Sequence, residues 1–142
     1  MAFLGEYLVS FTGVGRLVIP KKIREGLRGA ASFTLSKGFD GCLSGYTDKD
    51  WQSATRELLQ ETGVSGKRMD LRRRVFSSAI EIEIDTQGRT IIPLNLLEFA
   101  GMKGTKQAIV IGVGNHFEIW QKNKWEKYQQ TIEENISREK DT

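Results

Sequence analysis

Two arginines in this chain each stand directly behind a glycine and four residues before a proline. They lie in Gly15-Arg16-Leu17-Val18-Ile19-Pro20 and, 73 positions on, in Gly88-Arg89-Thr90-Ile91-Ile92-Pro93. Glycine lets the backbone turn sharply with φ > 0, which lifts the next side chain to the rim of a sheet. A guanidinium at such a rim can donate two hydrogen bonds to O6 and N7 of guanine, and a two-stranded ribbon is thin enough to enter the major groove where those atoms lie. The same residues also permit a plainer role, in which each arginine pairs with a nearby carboxylate and only pins its own turn. Asp85 is at hand to do this for Arg89.

Lys21, Lys22, Arg24 and Arg28 follow the first turn closely. Lys21 and Lys22 lie beside the motif and suit phosphate contacts, which fix register without reading sequence. The corresponding positions of the second copy are Leu94, Asn95, Leu97 and Gly101, all uncharged, and the contrast favours the first copy as the DNA-facing one. The alternative is a solvated helix face. Gly15, Arg16, Lys21, Lys22, Arg24 and Arg89 are therefore the candidate DNA-binding residues. Lys67, Arg68, Arg72, Arg73 and Arg74 form the densest basic patch, suited equally to phosphate or to salt bridges between subunits.

Other chemistry is poorly provided for. One cysteine, Cys42, allows no internal disulfide, and with a single histidine, His116, makes neither a metal site nor a nucleophile–base pair. No catalytic residue, metal or cofactor is expected, and the chain reads as a non-enzyme. Glu81, Glu83 and Asp85 alternate on one exposed strand face, which suits solvation or a subunit contact. Trp51, Phe76, Trp125 and Tyr128 have the helical spacing of packing residues rather than of a base-stacking surface.

The elements that must hold the arginines follow from local pattern. Tyr7–Phe11 favours a strand, Thr12–Gly15 a turn, and Arg16–Ile19 a second strand. Pro20 suits the first position of a short helix over Lys21–Arg28, which Gly26 weakens. Ser32–Ser36 and Cys42–Tyr46 read as a hairpin, and Thr47 or Asp48 caps a helix bearing Trp51, Ala54, Leu58 and Leu59. Thr62–Lys67 is the expected connector, and Met69, Arg72 or Arg73, Phe76 and Ile80 fit a helical stripe. In the second copy Ile80–Ile84 alternates strictly, placing three isoleucines on one face. Asp85–Gly88 is the turn and Arg89–Ile92 the return strand. A helix from Pro93 stops near Gly101, and Gln107–Val113 with His116–Trp120 makes a hairpin. The last helix spans Asn123 to about Ile136, with a frayed charged tail from Ser137.

The repeat continues beyond the turns. Gly38–Tyr46 answers Gly112–Trp120, and Trp51 answers Trp125. A copy of about 45 to 50 residues is marginal for a private core, so the two copies are expected to share one. Residues 1–74 carry 13 Lys and Arg against 8 Asp and Glu, the remainder 8 against 10, so the first half presents the more cationic surface. Nothing resembles a secretory signal or a membrane span, and the cytoplasm is the expected compartment.

The two glycine–arginine units occur together with the opening FLGEY, GFDGCL, RRRVFSSA, EIEID, DTQGR, EFAGM and GVGNHFEIW. In that order and over nearly the whole length, the chain resembles the MraZ family of the SpoVT-AbrB superfamily. The resemblance implies a mainly β fold with short α-helices. Two tandem β-hairpin modules would interlock into a pseudo-twofold barrel of the double-psi or swapped-hairpin type. The module boundaries are 5–49 and 78–123, with a helical connector at 50–77 and a C-terminal helix and tail at 124–142. It implies a nucleoid-associated transcriptional regulator, a repressor of the division and cell-wall gene cluster. As a ring-like homo-oligomer, an octamer or larger, it would read repeated G-rich boxes in double-stranded DNA. The alternative is an antitoxin-like protein-interaction module without base reading. Two positions depart from the family pattern, Thr12 for the usual Asp and Val14 for the usual Lys, and both lie in the first turn.

Overall fold

Short β-favouring runs broken by glycine turns leave edges that a single copy cannot satisfy, and the chain satisfies them by pairing copies with each other. The computed structural model describes residues 2–62, 66 and 68–140. In chain order the elements are β1 (Glu6–Ser10), β2 (Arg16–Val18), α1 (Lys21–Gly26), β3 (Ser32–Lys37), β4 (Leu43–Tyr46), α2 (Asp48–Thr62) and α3 (Met69–Ser78). They continue as β5 (Ile80–Glu83), β6 (Arg89–Ile91), α4 (Leu94–Phe99), β7 (Gln107–Gly112), β8 (Phe117–Gln121) and α5 (Lys122–Lys140). The protein is thus mainly β with short helices, α2 and α5 excepted. The expected connector falls largely on residues outside the described ones, as does Lys67.

Six strands form one sheet in the order β1-β7-β8-β4-β3-β5, and β2 with β6 forms a separate ribbon. The order reads the same from either end when the copies are exchanged. All pairings are antiparallel. Ser44 opposes Glu118 at the centre of the sheet and Leu17 opposes Thr90 at the centre of the ribbon, so equivalent residues meet at both places. The hydroxyl of buried Thr90 donates to the Leu17 carbonyl at 3.2 Å, which closes the ribbon centre.

This pairing corrects the local reading of strand and return strand. The turns are tight, but beyond them the strands part. β1 pairs with β7 and β5 with β3, while β2 and β6 pair with each other. Period-two alternation fixes which face of a strand is apolar but not which strand lies beside it.

One core serves both copies. Leu17, Ile19 and Ile23 pack with their counterparts Thr90, Ile92 and Leu96 and with Phe33, Leu35, Phe117 and Ile119 on the inner face of the sheet. The outer face is covered by α5 over β7 and β8, and by α2 and α3 over β3 and β4. Three local expectations change. The first short helix ends at Gly26, whose Cα lies so close to the Phe3 ring that an added Cβ would stand 2.5 Å from it. Ile80 is 44% exposed on the sheet edge, while Ile82 and Ile84 are buried. The last helix continues to Lys140 instead of fraying at Ser137, with basic Arg138 and Lys140 in its final turn, where they complement the helix dipole.

Candidate nucleic-acid interface

The β2–β6 ribbon is where the two arginines meet. Leu17 and Thr90 face the core, so their neighbours Arg16, Val18, Arg89 and Ile91 all face outward. Arg16 opposes Ile91 and Val18 opposes Arg89. The two guanidinium-bearing positions are therefore diagonal on one exposed face, about 7–8 Å apart by sheet geometry. The face carries one arginine from each copy.

Each arginine follows a glycine in the left-handed region of backbone space. Gly15 has φ +72° and Gly88 φ +83°. The carbonyl of Gly15 accepts from Ile92 N–H at 2.9 Å, and that of Gly88 from Ile19 N–H at 2.8 Å, so each turn is fastened to the other copy. A Cβ on Gly15 would fall 2.3 Å from the Ile92 carbonyl oxygen.

The two turns differ in what holds them. Asp85 accepts from the backbone N–H groups of Gln87 and Arg89 through Oδ1, both at 2.9 Å, and from Arg89 Nε through Oδ2 at 2.5 Å. The Arg89 backbone N–H and guanidinium hold the exposed Asp85 carboxyl below the usual carboxylate range. Thr12 stands at the equivalent position of the first turn, where only backbone bonds are found among the described residues. Thr12 N–H donates to Arg16 O at 2.9 Å and Arg16 N–H to Gly13 O at 3.2 Å. The Arg16 side chain lies along Gly13, and its guanidinium has no hydrogen-bond or ion-pair partner among the described residues.

Of the basic residues in the first helix, Lys21 and Lys22 are exposed on α1, Lys22 within 4.0 Å of Glu25. Arg24 is elsewhere. Its side chain crosses to the second turn and lies over Gly88, where an added Cβ would stand 2.6 Å from its Cδ. Nη1 donates to the Thr86 carbonyl at 3.4 Å, and Nε is buried without a partner among the described residues. Leu97, the counterpart of Arg24, lies over Gly15 in the same way. Arg24 thus occupies a leucine's place and braces the second turn.

An open groove of about 1040 Å³ runs beside the ribbon, between it and the edge strand β5. Arg16 and Arg89 line it together with Glu81, Glu83 and Asp85, so the groove carries both signs of charge.

The full length of the chain matches the family profile described as "MraZ protein, putative antitoxin-like", over residues 2–73 and 75–142. A transcriptional regulator MraZ of Pelotomaculum thermopropionicum is 43% identical over 126 residues, covering 89% of this chain and 84% of the relative. The transcriptional regulators MraZ of Acetivibrio thermocellus and Ligilactobacillus salivarius are 40% and 39% identical, covering 96% and 94% of this chain and 92% and 91% of theirs. The chain belongs to the MraZ family. The two matched segments divide this MraZ-family chain inside α3, and each brings one glycine–arginine turn.

The remaining described candidates of this MraZ-family member have partners within the chain. Arg68 pairs with Glu61 at 2.5 Å and Arg73 with Asp70 at 2.8 Å. Arg74 donates to the Gly38 carbonyl and lies 5.0 Å from the Phe99 ring centroid. Trp51 meets Phe76 edge-on, and Trp125 is buried against Trp120. Cys42 is fully buried, and burial, aided by Glu118, pushes its thiol up, which makes it an inert filler. Among the described residues no cluster of His, Cys, Asp and Glu could hold a metal ion, and no helix is long and apolar enough to cross a membrane.

The face of Arg24 was the feature missed by reading charge along the chain. Its signal lay in the repeat itself: the equivalent position holds Leu97, an apolar residue on a short helix, and equivalent positions point the same way.

Proposed function

We propose that this protein is a sequence-specific DNA-binding transcriptional regulator that reads G-rich boxes with the outer face of the β2–β6 ribbon. The observation that carries the reading is the placement of Arg16 and Arg89 on one exposed face of a two-stranded ribbon, with Arg16 unpaired among the described residues. Arg16 is the principal base reader, since its guanidinium has no partner among the described residues to give up. Arg89 reads from a fixed pose set by Asp85. Lys21 and Lys22 contact phosphates, and Gly15 gives Arg16 its turn. Arg24 contributes by holding the second turn. The relatives named transcriptional regulators support the same assignment.

One ribbon offers two base-reading arginines, and each good pair discriminates by about 1–3 kcal/mol. Useful specificity then requires several subunits on repeated boxes, where linkage raises affinity by about two to four orders of magnitude. A ring-like homo-oligomer, an octamer or larger, bound to its own promoter fits this requirement. Repression of the division and cell-wall cluster, association with the nucleoid, and closure of the two modules into a swapped-hairpin barrel complete the reading.

The test is binding to a duplex of repeated G-rich boxes from upstream of the gene, beside a scrambled duplex, across a salt series. Selective binding that is lost in Arg16→Ala is the expected result. Equal binding to both duplexes with a steep salt slope reduces the ribbon to a basic surface. The three carboxylates in the groove favour a second reading, an antitoxin-like module that takes a protein segment there. Absence of DNA binding at every salt concentration, with a stoichiometric small partner co-purifying from the native host, would put that reading first.

A further inference from the structure

The outer face of the sheet has two equivalent halves, and they are filled differently. On the second copy's half, Ile109, Ile111, Trp120 and Trp125 close with Cys42 into an apolar cluster under α5. The equivalent positions on the other half are Thr34, Ser36, Tyr46, Trp51 and His116. Every apolar member except the helix tryptophan is replaced by a residue with a polar group. Under α2 and α3 this half also holds a cavity of about 360 Å³, lined by Ser36, Tyr46, Trp51, His116 and Glu118.

The polar groups there are arranged. Glu118 Oε2 lies 2.9 Å from His116 Nε2, and Oε1 accepts from Trp120 Nε1 at 3.0 Å, which fixes the carboxylate at the cavity wall. The Tyr46 ring stacks on His116, with centroids 5.2 Å apart, and meets Trp51 edge-on at 5.5 Å. Burial, and then Glu118, push the Tyr46 phenol up, so it stays a neutral donor. Trp120 and Trp125 both give their indole N–H to a carboxylate, Glu118 and Glu6. The Trp51 indole N–H has no such partner among the described residues.

We propose that this cavity is a binding site for a small, uncharged, planar nitrogen heterocycle of the nucleobase class. Trp51 and Tyr46 in the lining offer aromatic surface to a flat ring, and the volume lies in the range of small-ligand pockets. A ring nitrogen or carbonyl would accept from Trp51 N–H, and an amino or ring N–H would donate to Glu118. A purely apolar ring would gain neither hydrogen bond. Beyond the Arg68–Glu61 pair the walls carry Glu57 and Glu118, and Lys37 lies over Phe99, so anions are disfavoured.

The experiment uses the full-length protein, with calorimetric titration and thermal unfolding in the presence of adenine, cytosine or hypoxanthine. Indole serves as the apolar ring and benzoate as the anionic one. At least one base is expected to bind saturably and to raise the unfolding temperature, as any ligand selective for the folded state must. Its Kd should lie about tenfold or more below those of indole and benzoate. Ser36→Ile, which places an isoleucine where the other half has Ile111, should abolish binding. Trp51→Phe, which keeps a ring and removes the N–H, should weaken it about tenfold. No saturable binding by any of the three bases overturns the proposal, as does equal binding by indole or benzoate. Binding that is unchanged in both variants overturns it too. If Ser36→Ile does not retain the far-ultraviolet circular dichroism of the parent, Trp51→Phe decides alone.

Discussion

The two glycine–arginine turns are fastened to the opposite copy in the same way and differ in the side chains that hold the arginine. At the second turn Asp85 clasps Arg89 from two directions and Arg24 lies across Gly88. At the first, Thr12 replaces the aspartate, Leu97 replaces the arginine brace, and Arg16 has no side-chain partner among the described residues. Duplication therefore yields one held arginine and one available arginine on a single ribbon face. Position in a fold sets where a side chain emerges, and its neighbours set what it is free to do.

The sharpest way to break this comparison is at the glycines. Gly15→Ala must adopt a left-handed conformation, which costs about 1–2 kcal/mol, and also press a methyl group against the Ile92 backbone carbonyl. A total loss of about 3 kcal/mol or more is expected in chemical denaturation. Gly88→Ala carries the same conformational cost, but its methyl meets the Arg24 side chain, which can swing away. It should lose distinctly less. Equal losses would mean that the turns are seated alike.

Next in size is the effect on base reading. Arg16→Ala should cost about 1–3 kcal/mol of discrimination between G-rich and scrambled duplexes. Arg89→Ala should cost less, as measured by competition binding at fixed salt. The reverse order would make the clasped arginine the better reader, with Asp85 as an aiming device.

Asp85→Ala removes an acceptor for two backbone N–H groups and for Arg89 Nε. A measurable loss of unfolding free energy is expected, as for the loss of a capping residue. The sign of the pH effect follows from the lowered carboxyl. Its contribution is complete above the ordinary carboxylate range and is lost as pH falls through the lower folded value. Carbon-detected NMR titration of Asp85 should show a midpoint below that of a free aspartate, moving up towards it in Arg89→Ala.

The smallest change sharpens the comparison by copying the clasp. Thr12→Asp offers the N–H groups of Val14 and Arg16 the same acceptor and should stabilise by about 0.5–1 kcal/mol. Thermal unfolding reports the gain. A decrease would mean that the first turn cannot take the Asp85 geometry.

Much of this was legible in the sequence. The repeat located both turns, the alternation through Ile82 and Ile84 gave the core face of β5, and Trp125 with Tyr128 and Ile132 gave the packing face of α5. Asp85 was readable as the holder of Arg89 because the two are local. Partnership across copies was not legible. Strand patterns leave the neighbour unspecified, so the pairing of β1 with β7 and of β2 with β6 could not be read from either strand alone. Arg24 was misplaced because charge suggests exposure, whereas its repeat partner Leu97 marks a position that faces inward. The hollow under α2 and α3 was equally hidden, since a cavity is a property of facing elements and not of any one of them.

The exchange of strands between copies also sets a schedule for the nascent chain. Glu6 pairs with Ile111 and Ser10 with Gln107, so β1 waits for some hundred residues of synthesis before its neighbour exists. Until then the ribosome presents strands β1 and β2 with open edges and half of a shared core. Contacts so distant along the chain make folding slow, and the waiting strands are the segments most prone to pair with another molecule.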